Sequence, residues 1–265
     1  MEPRTFAGRQ CLSTIMTEST TPYRWNSSAA TEAFDQAAQH IHPYYLAIQD
    51  QILERLPFAI DAPFLLVDLG GGSGRLVERV LTKFPNARAI VVDQSQAFLA
   101  LAERRLQSFG SRAAVVEHRL QEDWPDDLPA APQALVSMSA IHHLDPTEKQ
   151  TLYVRCHEVL APSGVFMNGD EYRPESDIDY LAAMQQWSDH KDVATKKGLI
   201  PDSFHAMFDQ WYDRNIRRFG EPKQSGDDCH ETTAVQIAYL QNAGFAHVDT
   251  VWARQMWAVV KATKL

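Results

Sequence analysis

Cysteine is scarce in this chain: three residues among 265, Cys11, Cys156 and Cys229, none in C-x-x-C spacing. That scarcity excludes a disulfide framework and a thiolate metal cluster, and it fits a reducing compartment. No stretch approaches the roughly 18–20 consecutive apolar residues of a membrane span, and the N-terminus lacks the apolar centre of a signal peptide. Cations are in deficit, with 25 Lys and Arg against 34 Asp and Glu, for a formal net charge of −9. Phosphate backbones are bound by clustered Lys and Arg, so this balance disfavours nucleic acid as a partner and favours a small molecule. Arg214, Arg217 and Arg218 form a small basic cluster, which reads as a solvated helix face. These absences together lead to an expectation of a cytoplasmic protein without membrane attachment, a monomer or homodimer.

What is present suffices for a full core: 45% of the residues are hydrophobic, and the length suits one domain with an elaboration. Residues 1–22, rich in Ser, Thr and Gln, read as a flexible leader in which Met16 is a candidate initiator. From Ala29 to Leu56 apolar residues recur at helical spacing, broken at Pro43, so residues 23–62 are expected to form a lid of two helices.

Strand and helix periods then alternate. Strands are expected at Phe64 to Leu69, Ala89 to Val92, Ala113 to His118, Ala134 to Ile141 and Gly164 to Asn168. Helices fall at Arg75 to Phe84, Gln96 to Phe109 and Pro146 to Leu160. The alternation implies an α/β fold whose mostly parallel sheet is covered on both faces, with ligands at the carboxyl ends of the strands. Residues 174–229 break the pattern with aromatic-rich helices that read as an inserted cap. A helix from Thr232 to Asn242 and an antiparallel hairpin, His247 to Arg254 with Trp257 to Ala262, complete a core of 63–173 and 230–265.

The first strand runs into Val67-Asp-Leu-Gly-Gly-Gly-Ser-Gly74, with Gly70, Gly72 and Gly74 at alternate positions. Such a turn lets backbone approach a ligand closely, and the following helix aims its N–H groups at it. The dinucleotide fingerprint G-x-G-x-x-G fails at its sixth position, which is Arg75, so a pyrophosphate cofactor is disfavoured. Asp93 ends the second strand, where an acid suits ribose hydroxyls or a helix cap.

The spacing D-x-G-x-G-x-G resembles motif I of class I S-adenosylmethionine (SAM) dependent methyltransferases. Ala134 to Pro146, with His142 and His143, is similar to motif IV of small-molecule members, and Val159 to Met167 resembles the turn before their fifth strand. His42-Pro-Tyr-Tyr45 looks like the lid of relatives that include carboxymethyl-transferring wobble-uridine enzymes. The resemblance implies a Rossmann-like, doubly wound, seven-stranded mostly parallel sheet with a helical lid and an inserted helical cap. It implies SAM as cofactor and S-adenosylhomocysteine as product. Asp68, Gly70, Gly72 and Gly74 would hold the methionine end, Asp93 the ribose, Leu120 and Gln121 the adenine, and Met138 the amino group by its backbone. Gln94 would meet the adenine edge or serve as a loop residue. Two departures stand out. The acid that relatives often carry near Arg119 or Leu120 is displaced to Glu122 or Asp123, and Ser163 replaces the first glycine of the later turn.

Methyl transfer mainly needs alignment of a nucleophile and exclusion of water. His142 and His143 end the fourth strand near the expected methyl, for proton transfer or for positioning. Neighbours in a strand point to opposite faces, so one of the two addresses the cleft unless the chain has turned. Glu171 and Tyr172 follow the fifth strand as further catalytic or substrate contacts, or as loop polarity. Tyr44 and Tyr45 in the lid, Trp187 and Trp211 in the cap, and His230 at the last helix are candidates for the acceptor pocket; core packing is the alternative for the aromatics. His190, His205 and His230, with Asp189, Asp209 and Asp228, share no H-x-x-x-H or H-E-x-x-H spacing, so no metal is expected. The expected activity is methyl transfer to O or N of a small, partly apolar or aromatic acceptor in secondary metabolism. Alternatives are a tRNA base-modifying enzyme and a SAM-binding protein that does not methylate.

Overall fold

The computed structural model describes residues 24–265. The expected leader over 1–22, with Met16 and Cys11, lies outside the described residues. The first helix, α1 (Ser28–Ile41), is capped by Ser27, whose hydroxyl accepts from the Ala30 N–H, and stops at His42, where the following proline forces extended backbone. After it come α2 (Tyr45–Arg55), β1 (Leu65–Leu69), α3 (Arg75–Lys83), β2 (Arg88–Asp93), α4 (Gln96–Leu106), β3 (Ala113–Glu117) and β4 (Ala134–Met138). α5 (Pro146–Val159) starts with a capping box between Asp145 and Glu148, with proline at its first position. β5 (Val165–Glu171), α6 (Asp177–Lys196), α7 (His205–Tyr212), α8 (Thr233–Asn242), β6 (Ala246–Arg254) and β7 (Trp257–Thr263) complete the chain.

One seven-stranded sheet results, in the order β3-β2-β1-β4-β5-β7-β6, with β1 to β5 parallel and β7 antiparallel to both neighbours. The order reverses between β1 and β4, so a crevice opens there at the strands' carboxyl ends. Central strands are apolar on both faces, as in β1, where Leu66, Val67 and Leu69 are fully buried. Burying each such side chain contributes roughly 1.5–3 kcal/mol.

Two strand ends differ from the sequence reading by more than one residue. β4 stops at Met138 instead of Ile141, because Ser139 takes positive φ and residues 141–143 wind into a 3-10 turn. β5 continues past Asn168 through Glu171, pairing Glu171 with Trp257 of β7, and all seven of its residues are buried.

The lid and the cap, expected as separate units, share one apolar cluster: Ala33, Ala37 and Ile41 of α1 pack with Ala194, Ile200 and Phe204 of the cap. Trp187 of α6 ties them further, its indole N–H donating to the Ile41 carbonyl at 2.7 Å.

Candidate active site

The β1–α3 turn is built from left-handed backbone: Gly70, Gly72 and Gly74 have φ of 68°, 53° and 75°. The N–H of Gly70 donates to Val92 O at 2.7 Å, and that of Gly72 to Asp93 Oδ2 at 3.0 Å, so β2 fixes the turn's shape. A Cβ on Gly70 would collide with Ala140, just beyond β4.

Two carboxylates lie under this turn. Asp68 is 1% exposed, its Oδ1 has no hydrogen-bond partner, and burial together with Asp93 pushes its carboxyl up to about 7. Asp93 is buried too and rises to about 6, burial outweighing the N–H groups of Ser95 and Gly72 that favour its charge. Ser95, not Asp93, caps α4, its hydroxyl accepting from Phe98 N–H at 3.2 Å. The Asp93 carboxylate instead bridges the turn and the start of α4, accepting from Ser95 N–H at 2.8 Å.

The lid is pinned to the turn by a side chain that the sequence reading did not single out. Asp35 of α1 meets Arg75 Nε at 2.8 Å and Arg105 Nη2 at 2.8 Å, and its Oδ1 also accepts from the Ser73 hydroxyl. Arg105 donates in addition to the Ser73 carbonyl at 2.5 Å. Burial alone would raise the Asp35 carboxyl, but the hydrogen bonds from Arg105 and Arg75 outweigh it and hold it at about 2. No local signal marks Asp35, since its partners lie 38 to 70 residues away.

A second group of polar side chains gathers beyond β4 and β5. Because the chain has turned at Ser139, His142 and His143 do not oppose each other; their rings lie 4.0 Å apart and both face Asp228. His142 Nδ1 sits 2.6 Å from Asp170 Oδ1 and 3.0 Å from Glu171 Oε2. Glu171 Oε1 lies 3.0 Å from His42 Nδ1 and accepts from the Ser139 hydroxyl at 3.2 Å. Burial opposes charge on the His142 imidazole, but Asp170 and Glu171 prevail and it keeps its proton well above the usual histidine range. Glu171 is held well below the ordinary carboxylate range for the same reason, burial being overcome by His142 and His42. His230 joins at the edge, its ring 5.2 Å from that of His142, its Nδ1 2.7 Å from the Tyr180 hydroxyl.

The expected residues thus divide. Asp68, the glycines and Asp93 share the crevice at the ends of β1 and β2. Met138 ends β4 there, and Leu120 approaches Gly70. Gln94 is half-buried beside Asp93. Gln121 donates to Glu148 and Ser225, which turns it toward α5. The displaced acids are engaged elsewhere: Glu122 with His118, Asp123 with Arg155. His142, His143, Glu171 and His230 meet in the second group, where Glu171 is fully buried within a strand instead of lying on a loop. Tyr172 is a packing residue, buried with its hydroxyl donating to Asn168 O at 3.2 Å. Tyr44 packs edge-on against Trp252 and Trp257, and Trp187 and Trp211 belong to the main core, so these three are not arranged as a ligand box. Tyr45 is half-buried near Asp35 and Asp68. Asp170, His42 and Asp228 are the members that sequence reading did not assign to the site. Asp170 stood beside Glu171 in the expected loop, and only its burial in β5 reveals it.

Beyond Asp228 and His230 a cleft of about 260 Å³ opens, lined also by Arg173, Tyr180 and Phe219.

Residues 66–164 match a family described as a methyltransferase domain. The chain is similar to the trans-aconitate 2-methyltransferase of Methylobacterium radiotolerans, 32% identical over 115 residues that cover 43% of this chain and 40% of that protein. It also matches the carboxy-S-adenosyl-L-methionine synthase of Nautilia profundicola, at 21% identity over 87% of this chain and 90% of that one. Among solved structures, human N-acetylserotonin methyltransferase in complex with SAM superposes with a TM-score of 0.59 at 16% identity, covering 91% of this chain and 57% of that chain. The chain spans about half the length of the trans-aconitate enzymes it matches, from 40% to 55%. The matched domain over residues 66–164, the strand order and the glycine turn agree with one another, and over that core the chain is similar to class I SAM-dependent methyltransferases.

Proposed function

We propose that this protein transfers a methyl group from SAM to an oxygen or nitrogen of a small, partly apolar or aromatic acceptor, in secondary metabolism. One observation carries the cofactor: Asp68 and Asp93 are two buried carboxylates at the glycine turn, Asp93 adds to the cost of charge on Asp68, and among the described residues no Lys, Arg or His forms an ion pair with either. A ligand that brings positive charge and sugar hydroxyls to the glycine turn relieves both.

When bound, SAM supplies an electrophilic sulfonium methyl. Gly70, Gly72, Gly74 and Asp68 would hold its methionine end, Asp93 its ribose, Gln94 and Leu120 its adenine, and the Met138 backbone its amino group, while the Gln121 side chain, expected at the adenine, is engaged by Glu148 and Ser225. The Asp35 clamp keeps α1 over the turn and water out of it. The acceptor would lie in the cleft beside His230 and Asp228, with Tyr45 on the lid side. His142, fixed by Asp170 and Glu171, and His143 serve this side by positioning, since alignment alone supplies much of the rate in such a displacement. Relatives named for small acceptors, N-acetylserotonin and trans-aconitate, support this class of substrate.

The near-full-length match to carboxy-SAM synthase favours one second reading, use of the sulfonium without methyl release to an acceptor. Incubation with methyl-labelled SAM and a panel of small hydroxy and amino compounds separates them. Label in an acceptor with stoichiometric S-adenosylhomocysteine is expected, whereas label retained on a nucleoside product would support the second reading.

A further inference from the structure

We propose that His142, His143 and Asp228 form a binding site for a divalent transition metal of borderline softness, zinc or ferrous iron in kind, at the edge of the acceptor cleft. His143 Nδ1 and His142 Nε2 converge on the same oxygen, Asp228 Oδ1, at 3.4 and 3.8 Å, and the three ligand atoms all lie within 4.8 Å of one another. His143 Nδ1 also donates to the Asp227 carbonyl at 3.2 Å, a bond that an ion would replace, binding with release of the imidazole protons. The 3.8 Å separation is too long for a hydrogen bond. At metal–ligand bonds of about 2.0–2.2 Å, two ligands at the tetrahedral angle stand about 3.4 Å apart, which the His143–Asp228 pair meets and which the His142–Asp228 pair would reach by a shift of about 0.4 Å.

The surroundings are those of a metal centre. His142 presents Nδ1 to Asp170 at 2.6 Å, an orientation that aims Nε2 at Asp228, as outer carboxylates do for metal-bound imidazoles. Asp228 is fixed on its other oxygen by Asn215, which donates at 2.5 Å from the π turn Asp213–Arg217. His230 stands beside the group, its ring 5.2 Å from that of His142, with a buried Nε2 that has no hydrogen-bond partner. Two imidazoles with one carboxylate suit zinc or ferrous iron and disfavour magnesium or calcium, which take oxygen ligands. Asp228 borders the cleft, so an ion there is within reach of an acceptor's oxygen. The three ligands come from a turn after β4 and a loop before α8, which is why no spaced motif announces them.

The test uses the full chain, stripped with a chelator and titrated with Co²⁺ or Zn²⁺ alone, with no SAM and no turnover. It therefore reads the metal site whether or not methyl transfer is the activity. One Co²⁺ per chain, with visible ligand-field absorption that Zn²⁺ abolishes, is expected. Asp228→Asn and His143→Gln should each weaken binding more than tenfold, and Asp170→Asn by about 10- to 100-fold. Circular dichroism checks that each variant folds, and the partly exposed His143 keeps the test available if the Asp228 variant does not. Absence of saturable binding at one equivalent, or unchanged affinity in folded His143→Gln, overturns the proposal.

Discussion

Arg75 stands where a dinucleotide-binding turn would carry its third glycine, and it spends its guanidinium on Asp35 of the lid. The same residue that argues against a pyrophosphate thus helps close the site. Asp35→Ala leaves Arg75 and Arg105 without their shared carboxylate, and a loss of about 1–3 kcal/mol in unfolding free energy is expected from denaturant titration, with weaker SAM binding. Asp68 predicts a pH dependence. Its carboxyl is raised from 3.8 to about 7, so the fold favours the neutral acid. Stability from this group is fully present below the unfolded pKa and is lost as pH rises through about 7. Asp93, raised to about 6, acts in the same direction, and Tyr45, pushed up to about 12, stays neutral throughout. The ligand-free melting temperature should therefore fall between about pH 4 and pH 7, Asp68→Asn should flatten that fall, and the rise produced by SAM should be larger at about pH 8 than at about pH 5.5. A SAM effect that shrinks with pH would contradict this. At His143, replacement by Ala should lower turnover far more than SAM affinity; equal losses in both would mark a cofactor-positioning or packing role.

Among the elements, β5 shows where sequence reading stops. Gly169-Asp-Glu171 reads as loop after the strand, and it is strand because β7 pairs with it and His142 and His42 supply partners for its acids. Gly169 has a packing reason. A Cβ there would collide with the Cγ2 of Ile48, so the glycine lets α2 lie on the sheet. Gly169→Ala should destabilise the protein by about 1–3 kcal/mol, and Ile48→Ala added to it should restore part of that loss; a neutral Gly169→Ala would show that the helix moves freely. The alternating apolar periods and the glycine turn made β1 to β4, α3 to α5 and the closing hairpin legible, since these are local patterns. The second polar group was not legible as a unit. Its members come from residues 42, 139–143, 170–171, 215 and 228–230, and only the topology brings them together.

At the scale of the whole molecule, lid and cap behave as one layer over the carboxyl ends of the strands, joined by Ala37, Ile41, Ile200 and Phe204. Within the described residues no helix is long and apolar enough to cross a membrane. Binding at the glycine turn should therefore protect α1 and residues 194–204 together in hydrogen exchange, although those cap residues lie far along the chain from the turn; protection of α1 alone would separate the two. The central claim, that SAM occupies the crevice between β1 and β4 against Asp68 and Asp93, meets its most direct test in calorimetric titration of SAM into the wild-type chain and Asp93→Ala. One site per wild-type chain is predicted, with affinity in the variant weakened beyond detection while its circular dichroism stays native. Unchanged SAM affinity in the folded variant would contradict it.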